Sequence, residues 1–153
     1  MRFLKLPPRI KVLEAAGAIA DGRVHKISKG MAKVVSSEGD KVYRVFVDPD
    51  QGVAYSDDNG TRLRGYIGYP IIAVMMSEGL VSLDEDIASS LKGIPWKKLN
   101  EKFKKYAMVE AYVKKIAAGR GISPSRIDEY VTRVMRELSR YKLRRLDEPP
   151  LGL

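Results

Sequence analysis

The spacing of apolar residues along the chain predicts a mixed helix and strand region first and a helical region afterwards. Apolar residues recur at helical spacing over residues 8–20, between a proline pair and Gly22, which predicts a short amphipathic helix. The pattern then changes to the two-residue period of β-strands in four short runs separated by turn residues: residues 24–28, 31–36, 41–47 and 53–56. We therefore expect an antiparallel meander.

The apolar pattern after these strands predicts helices. Residues 70–78 are almost wholly apolar, begin with proline and are followed by Gly79, as expected of a buried helix that covers the sheet. Ser82 and Glu85 have the spacing of a capping box, so another short helix is predicted to begin there.

Two longer amphipathic helices complete the predicted fold. One covers residues 96–118, and the other begins with Ser123 as its cap and Pro124 in its first position. The predicted class is α+β: a small antiparallel β-sheet with a covering helix, followed by a helical C-terminal half. We assign residues 1–81 to the N-terminal helix and the sheet module, and residues 82–153 to a basic helical region packed on it.

Charge is distributed unevenly between the two parts. Residues 1–91 contain 12 Lys and Arg and 12 Asp and Glu, so that part is neutral. Residues 92–146 contain 16 Lys and Arg against five Asp and Glu, a net charge of +11. Such asymmetry is typical of a chain that contacts polyanions with one end, although a solvated surface gives the same composition.

Composition restricts the chemistry that the chain can support. With 153 residues, 44% of them apolar, the chain is long enough for one folded domain with a core. The absence of cysteine excludes disulfides, thiolate metal ligands and cysteine nucleophiles, and it suits a protein that resists heat. No apolar run approaches the roughly 20 residues that span a bilayer, so we expect no membrane contact and a cytoplasmic location.

The strand and helix order over residues 22–77 resembles the SWIM zinc finger. Residues 42–47 resemble its first strand, residues 52–56 its second strand, and residues 68–76 the apolar helix whose start carries the last two ligands. The four positions that correspond to the zinc ligands hold Ala54, Ser56, Gly68 and Pro70. An ordinary β-meander followed by a helix would have the same pattern.

The resemblance implies a finger without its metal, because none of the four residues supplies a thiolate or an imidazole. We therefore expect no metal and no cofactor. A structural zinc contributes on the order of 10 to 16 kcal/mol of apparent binding free energy, so another interaction has to replace it. Our hypothesis is burial of five apolar side chains, at about 1.5 to 3 kcal/mol each before entropy costs: Ile71, Ile72, Val74, Met75 and Met76.

Other candidate sites have structural explanations. The single histidine, His25, lies in a predicted strand without a second histidine or a cysteine to share a metal. The clustered aspartates lie in turn sequences, where aspartate is common: Asp48, Asp50, Asp57 and Asp58. Three glycines near residues 60–68 are too far apart for a phosphate-binding loop. We therefore expect a protein that is not an enzyme.

The basic residues of the last two helices are the candidate functional site. Lys98, Lys102 and Lys105 have the spacing of one helical face. Arg133, Arg136, Arg140 and Arg144 have the same property on the last helix, and guanidinium groups can bind phosphate oxygens in pairs. We expect non-enzymatic nucleic-acid binding that is largely independent of sequence.

Two alternatives to nucleic-acid binding stay open. In the first, the apolar stripes of the last helices pair with a protein partner or with a second copy in a homodimer, and the charge is incidental. In the second, the chain is an enzyme without a recognisable motif. Tyr55, Tyr66 and Tyr69 have two readings as well, since they can stack on bases or belong to the core.

The absence of metal ligands leads to a test of stability. Protein purified without added metal should keep its melting temperature after dialysis against a strong chelator, because no zinc ion contributes to its folding. Differential scanning calorimetry of treated and untreated samples measures this. A lower melting temperature after chelation would contradict the burial hypothesis.

Overall fold

Residues 2–153 form a five-stranded sheet and six α-helices. The computed structural model describes residues 2–153. The elements are, in chain order, α1 (Ile10–Ala20), β1 (Val24–Ser28), β2 (Met31–Val35), β3 (Val42–Asp48), β4 (Val53–Ser56), a π-helical turn (Gly60–Arg64), α2 (Tyr69–Ser77), α3 (Glu85–Ser90), α4 (Trp96–Phe103), α5 (Tyr106–Gly119), α6 (Pro124–Leu138) and β5 (Arg144–Arg145). The predicted α+β class is confirmed.

The sheet has the strand order β1-β2-β3-β4-β5. The first four strands pair antiparallel, as the meander predicts, whereas β5 pairs parallel to β4. Alternate residues of β2 and β3 are buried, among them Val34, Val45 and Val47, so one face of the sheet packs on the interior. The two-residue strand β5 was not predicted, because it is too short to show an alternating pattern.

Helix α2 lies at the centre of the interior. All residues from Pro70 to Met76 are buried, since the helix packs on the sheet with one side and on α1 with another. Residues on both sides of position 81 belong to one buried cluster, with Leu13 and Ile72 before it and Ile127 and Leu138 after it. The division into residues 1–81 and 82–153 stays a prediction, and the core is continuous across it.

The helix predicted over residues 96–118 is wrong, because the chain forms two helices there. Lys104 ends α4 with a φ of 58°, and its N–H donates to the Asn100 carbonyl at 3.0 Å. Helix α5 begins at Tyr106, which stays 41% exposed, while Val109 is fully buried. The sequence contains no glycine or proline at this break, so tertiary packing overrides the local helical pattern.

The prediction that the last helix reaches Arg144 is also wrong. Helix α6 ends at Leu138, and the chain then turns back towards the sheet. The Tyr141 hydroxyl donates to the Leu80 carbonyl at 2.7 Å, and Leu143 is buried. Arg140 therefore follows the helix, and Arg144 lies in β5.

The predicted capping box at Ser82 and Glu85 is wrong as well. Asp84 caps α3 instead, and its carboxylate accepts from the N–H groups of Asp86 and Ile87, each at 3.0 Å. Ser82 is drawn to α6, where its hydroxyl donates to the Glu137 carboxylate at 2.6 Å.

The left-handed residue at the end of α4 allows a test of the break. Lys104→Gly should raise the free energy of unfolding by up to about 1 kcal/mol, since glycine adopts this conformation without a steric penalty. Lys102→Gly, inside α4, should lower it by about 1 kcal/mol. Urea denaturation measures both. If both substitutions destabilised the protein, the break at Lys104 would be contradicted, because that is the result expected of one straight helix over residues 96–118.

Candidate functional site

A buried polar network occupies the region that resembles the zinc site. Ser56 ends β4, and Gly68 precedes α2. The Asp58 carboxylate accepts from the Ser56 hydroxyl at 2.5 Å, from the Thr61 hydroxyl at 2.9 Å and from the Thr61 N–H at 3.1 Å. The Thr61 hydroxyl oxygen in turn accepts from the Gly68 N–H at 3.1 Å. Hydrogen bonds therefore join β4 to the start of α2.

Glycine is required at position 68 for steric reasons. A Cβ atom there would overlap the Asp58 carboxylate. The two other positions that correspond to zinc ligands, Ala54 and Pro70, are buried and carry no polar side-chain atom. One sign of the network is visible in the sequence: Asp58 and Thr61 have the i, i+3 spacing, which is also the spacing of a helix cap.

Of the other candidate aspartates, Asp48 and Asp57 have local partners. Asp48 accepts from the N–H groups of Asp50 and Gln51 and so shapes a turn. Asp57 binds Arg44 at 3.0 Å and accepts from the Tyr55 hydroxyl at 2.7 Å. Burial raises the pKa of Asp57, but the hydrogen bonds from Arg44 and Tyr55 outweigh it and hold that pKa below its ordinary value.

The other single candidates differ in exposure. His25 is exposed on β1, and within residues 2–153 no three histidine, aspartate or glutamate side chains converge as a metal would require. Tyr55 is buried, while Tyr66 and Tyr69 are partly buried. Burial raises the pKa of both Tyr66 and Tyr69, so these two phenols stay protonated at neutral pH.

The predicted lysine stripe is broken by the turn at Lys104. Lys98 and Lys102 are exposed on α4, and Lys105 is exposed just before α5. None of the three has a carboxylate within 4.0 Å in the part of the chain that the structure describes. We refer to these three residues as the α4 lysines.

The predicted arginine stripe keeps only its first part. Arg133 and Arg136 are exposed on α6, and Arg140 is exposed just after it. Between residues 2 and 153, no carboxylate lies within 4.0 Å of any of these three, which we refer to as the α6 arginines. Arg144 is half-buried in β5 and does not belong to this exposed group.

The α4 lysines and the α6 arginines belong to opposite ends of the sheet. The N–H of Lys97 donates to Ser37 at 3.3 Å and its ammonium group binds Asp40 at 3.1 Å, which fixes α4 at the β2–β3 turn. The segment after α6 is fixed at the other end of β3, where the Arg144 N–H donates to the Gly52 carbonyl at 2.8 Å. The seven residues of β3 separate these ends by about 20 Å.

A family model described as "Uncharacterised conserved protein UCP014422" matches residues 4–144. The chain belongs to this family. No curated protein and no solved structure matches the chain.

In this UCP014422 member the matched residues include the polar network, the α4 lysines and the α6 arginines. Within residues 2–153, none of the helices has the length and apolar character needed to cross a bilayer.

The polar network leads to a test of its contribution to stability. Thr61 is fully buried, and Thr61→Val keeps its shape but removes the acceptor of the Gly68 N–H and one donor to Asp58. The free energy of unfolding should fall by about 1 to 3 kcal/mol. The matched control Thr132→Val, on the exposed side of α6, should change it by less than about 0.5 kcal/mol. Equal values for the two variants would contradict a structural role of the network.

Proposed function

We propose that this UCP014422 member is a non-enzymatic nucleic-acid-binding protein whose α6 arginines contact phosphate groups. One observation carries the proposal: Arg133, Arg136 and Arg140 are exposed together and have no carboxylate partner within residues 2–153. Their guanidinium groups are free to bind an anion from solution.

Lys114 of α5 and Arg126 of α6 differ from the α6 arginines, because each has carboxylate partners. Lys114 binds both Glu110 and Asp128, at 2.9 and 2.6 Å. Arg126 binds Asp84 and Asp86, at 3.0 and 3.3 Å. The acidic residues that these ion pairs use are not available to neutralise the α6 arginines, which supports a binding role for them.

Phosphate contact explains the expected lack of sequence preference. Guanidinium groups bind phosphate oxygens in pairs, and phosphates are the same at every base. Three such contacts with a duplex correspond to a slope of log K against log salt of about −2.7. Because α4 and the segment after α6 are attached at opposite ends of β3, we expect the α4 lysines to add less than the α6 arginines do.

A second candidate function is docking of a protein partner. Helix α5 exposes three large apolar side chains, Tyr106, Met108 and Tyr112, at 41, 47 and 43%. Such a group on one helix suits an interface between proteins. In that case the charge on α6 would serve only solubility.

Charge reversal on α6 tests the nucleic-acid proposal. Arg133→Glu combined with Arg136→Glu should weaken binding to a random-sequence duplex about tenfold or more at low salt and make the salt slope smaller by about 2, because two phosphate contacts are lost. Fluorescence anisotropy at several salt concentrations measures both quantities.

The control carries the same change in charge at another place. Lys33 and Lys92 are exposed outside α6, so Lys33→Glu with Lys92→Glu should weaken binding by less than about threefold through the net charge alone. Equal losses in the two double variants would mean that net charge, and not the α6 arginines, governs binding. A wild-type protein without salt-dependent binding would favour the protein partner.

A further inference from the structure

A cleft of about 520 Å3 lies at the end of the sheet opposite to the α6 arginines. Its walls come from α1, the segment between α1 and β1, the β2–β3 turn with the start of β3, the π-helical turn, the start of α2 and α4. Its volume falls in the range of sites for small molecules. None of the lysines and arginines predicted as functional from the sequence lines it, whereas Tyr69, one of the three tyrosines considered for base stacking, does.

The buried polar side-chain atoms that lack a hydrogen-bond partner in residues 2–153 all belong to residues that line this cleft. They are Arg23 Nη2, Trp96 Nε1 and Asn100 Oδ1. Buried polar atoms are normally paired, because leaving one unpaired costs free energy. Two of them, Arg23 Nη2 and Asn100 Oδ1, therefore indicate that the cleft binds a polar molecule.

Of the three atoms, Arg23 Nη2 gives the strongest support for a bound ligand. It is only 9% exposed. Its Nε donates to Asp21 at 3.3 Å and its Nη1 donates to the Val35 carbonyl at 2.7 Å, so the guanidinium group is held in place while Nη2 is unused. The Tyr69 ring lies 6.0 Å from the guanidinium carbon. Burial raises the pKa of Tyr69 and a side-chain contact with Arg23 acts against that rise, so the Tyr69 hydroxyl lies beside the guanidinium group, although no hydrogen bond of ordinary geometry reaches Nη2. Nη2 is thus a fixed cationic donor.

Asn100 supplies an acceptor of fixed orientation. Its amide nitrogen donates to Glu14 at 2.9 Å, which leaves Oδ1 without a partner. The other Glu14 oxygen binds Lys11 at 3.0 Å. Burial lowers the pKa of Lys11, but the attraction and hydrogen bond of Glu14 outweigh it and raise that pKa, so Lys11 and Glu14 form a charged pair.

Trp96 has a different part. The edge of its indole ring lies against Gly17 of α1, with Nε1 at 2.9 Å from where a Cβ atom would be. Its N–H is therefore directed at the helix, and we assign it no ligand. Because Trp96 is the only tryptophan of the chain, it reports on this cleft alone.

The charge around the cleft favours an anion. Three acidic and five basic side chains line it, a net charge of +2. Glu14 is paired with Lys11 and Asp40 with Lys97, while Glu101 is exposed at the α4 side and has no cation within 4.0 Å in residues 2–153. Lys41 and Arg64 also line it, and neither has a carboxylate within 4.0 Å in residues 2–153. A second cavity of about 140 Å3 shares Lys11, Tyr43, Asn59 and Tyr69 with the cleft and therefore lies next to it.

We propose that this cleft binds a small organic oxyanion that also carries an N–H group, with Arg23 Nη2 donating to the oxyanion and Asn100 Oδ1 accepting from the N–H. Both atoms are shielded from bulk solvent, so entry of the ligand moves side chains at the rim. The oxyanion is a phosphate or a carboxylate, since both accept from a guanidinium group in the same way. The site is separate from the α6 arginines and does not depend on them.

Two-dimensional 1H–15N correlation NMR spectra of the full chain test the proposal, with the Trp96 indole N–H signal as the readout. The probes are inorganic phosphate, adenosine monophosphate and L-glutamate, each titrated separately. Adenosine monophosphate or glutamate should shift the signal to saturation with a Kd below about 1 mM and bind at least about tenfold more tightly than inorganic phosphate. A response to the nucleotide alone identifies a phosphate ligand, and a response to glutamate alone identifies a carboxylate ligand.

Two results would overturn the proposal. Absence of a saturable shift with all three probes would mean that no such ligand binds, and equal affinity for phosphate and for the organic probes would remove the role of Asn100.

Variants separate this cleft from the proposed nucleic-acid site. Arg64→Glu, at the exposed rim, should weaken binding of the organic probe about fivefold through its charge. Arg23→Lys should weaken the binding about tenfold or more, because the ammonium group cannot keep all contacts of the guanidinium group. Lys29→Glu, exposed at the β1–β2 turn, should leave the affinity unchanged. The double variant Arg133→Glu and Arg136→Glu should bind the probe as the wild type does. If Arg23→Lys failed to fold, an unaltered affinity in Arg64→Glu would still contradict the proposal.

Discussion

The complete burial of α2 is the constraint on which the rest of the structure depends. A helix that is apolar on every side has to be covered on every side, and here the sheet covers one side and α1 another. The start of α2 is held in place because the Gly68 N–H donates to the Thr61 hydroxyl oxygen. Thr61 in turn donates to the Asp58 carboxylate. In a metal-binding finger, an ion would join a hairpin to a helix at the corresponding place. Here that link consists of a carboxylate, two hydroxyl groups and one backbone N–H, in addition to the apolar burial.

Sequence patterns predicted the elements that local signals determine and missed those that distant contacts determine. The bounds of β1 and β4 agree with the prediction because turn residues flank alternating runs, and α2 agrees because proline and glycine mark its ends. The break at Lys104 and the end of α6 at Leu138 carry no glycine or proline, so nothing local marks them. Most of the candidate basic residues are exposed, as expected. Their arrangement differs from the predicted one, because the break at Lys104 and the end of α6 at Leu138 place lysines and arginines on other surfaces. The cleft at Arg23 and Asn100 was not predicted at all, since its residues are distant in sequence and only tertiary structure brings them together.

The distribution of acidic residues explains why a protein of net charge +9 has distinct basic surfaces. Carboxylates of the described chain serve mainly to join elements: Asp84 binds Arg126 of α6, Asp128 binds Arg9, and Asp40 binds Lys97. Exposed pairs of this kind add little stability individually, yet they decide which cations stay available. Positive charge therefore remains where α6 leaves the core, and a mixed, partly neutralised set of charges remains around the cleft.

The short strand β5 also affects how the protein avoids self-association. It covers the free edge of β4, and its neighbourhood is reinforced where the Leu4 N–H donates to the Leu143 carbonyl at 2.8 Å and Phe3 bridges to Arg144. Residues near 4 and residues near 143 thus hold each other in place over the same edge, and loss of either segment releases the other. Backbone groups of Val53 and Ala54 would then face solvent as an unpaired strand, which is a template for pairing with another molecule. Proteolytic trimming at either of these segments would thereby expose the edge of β4 and make the protein prone to aggregate.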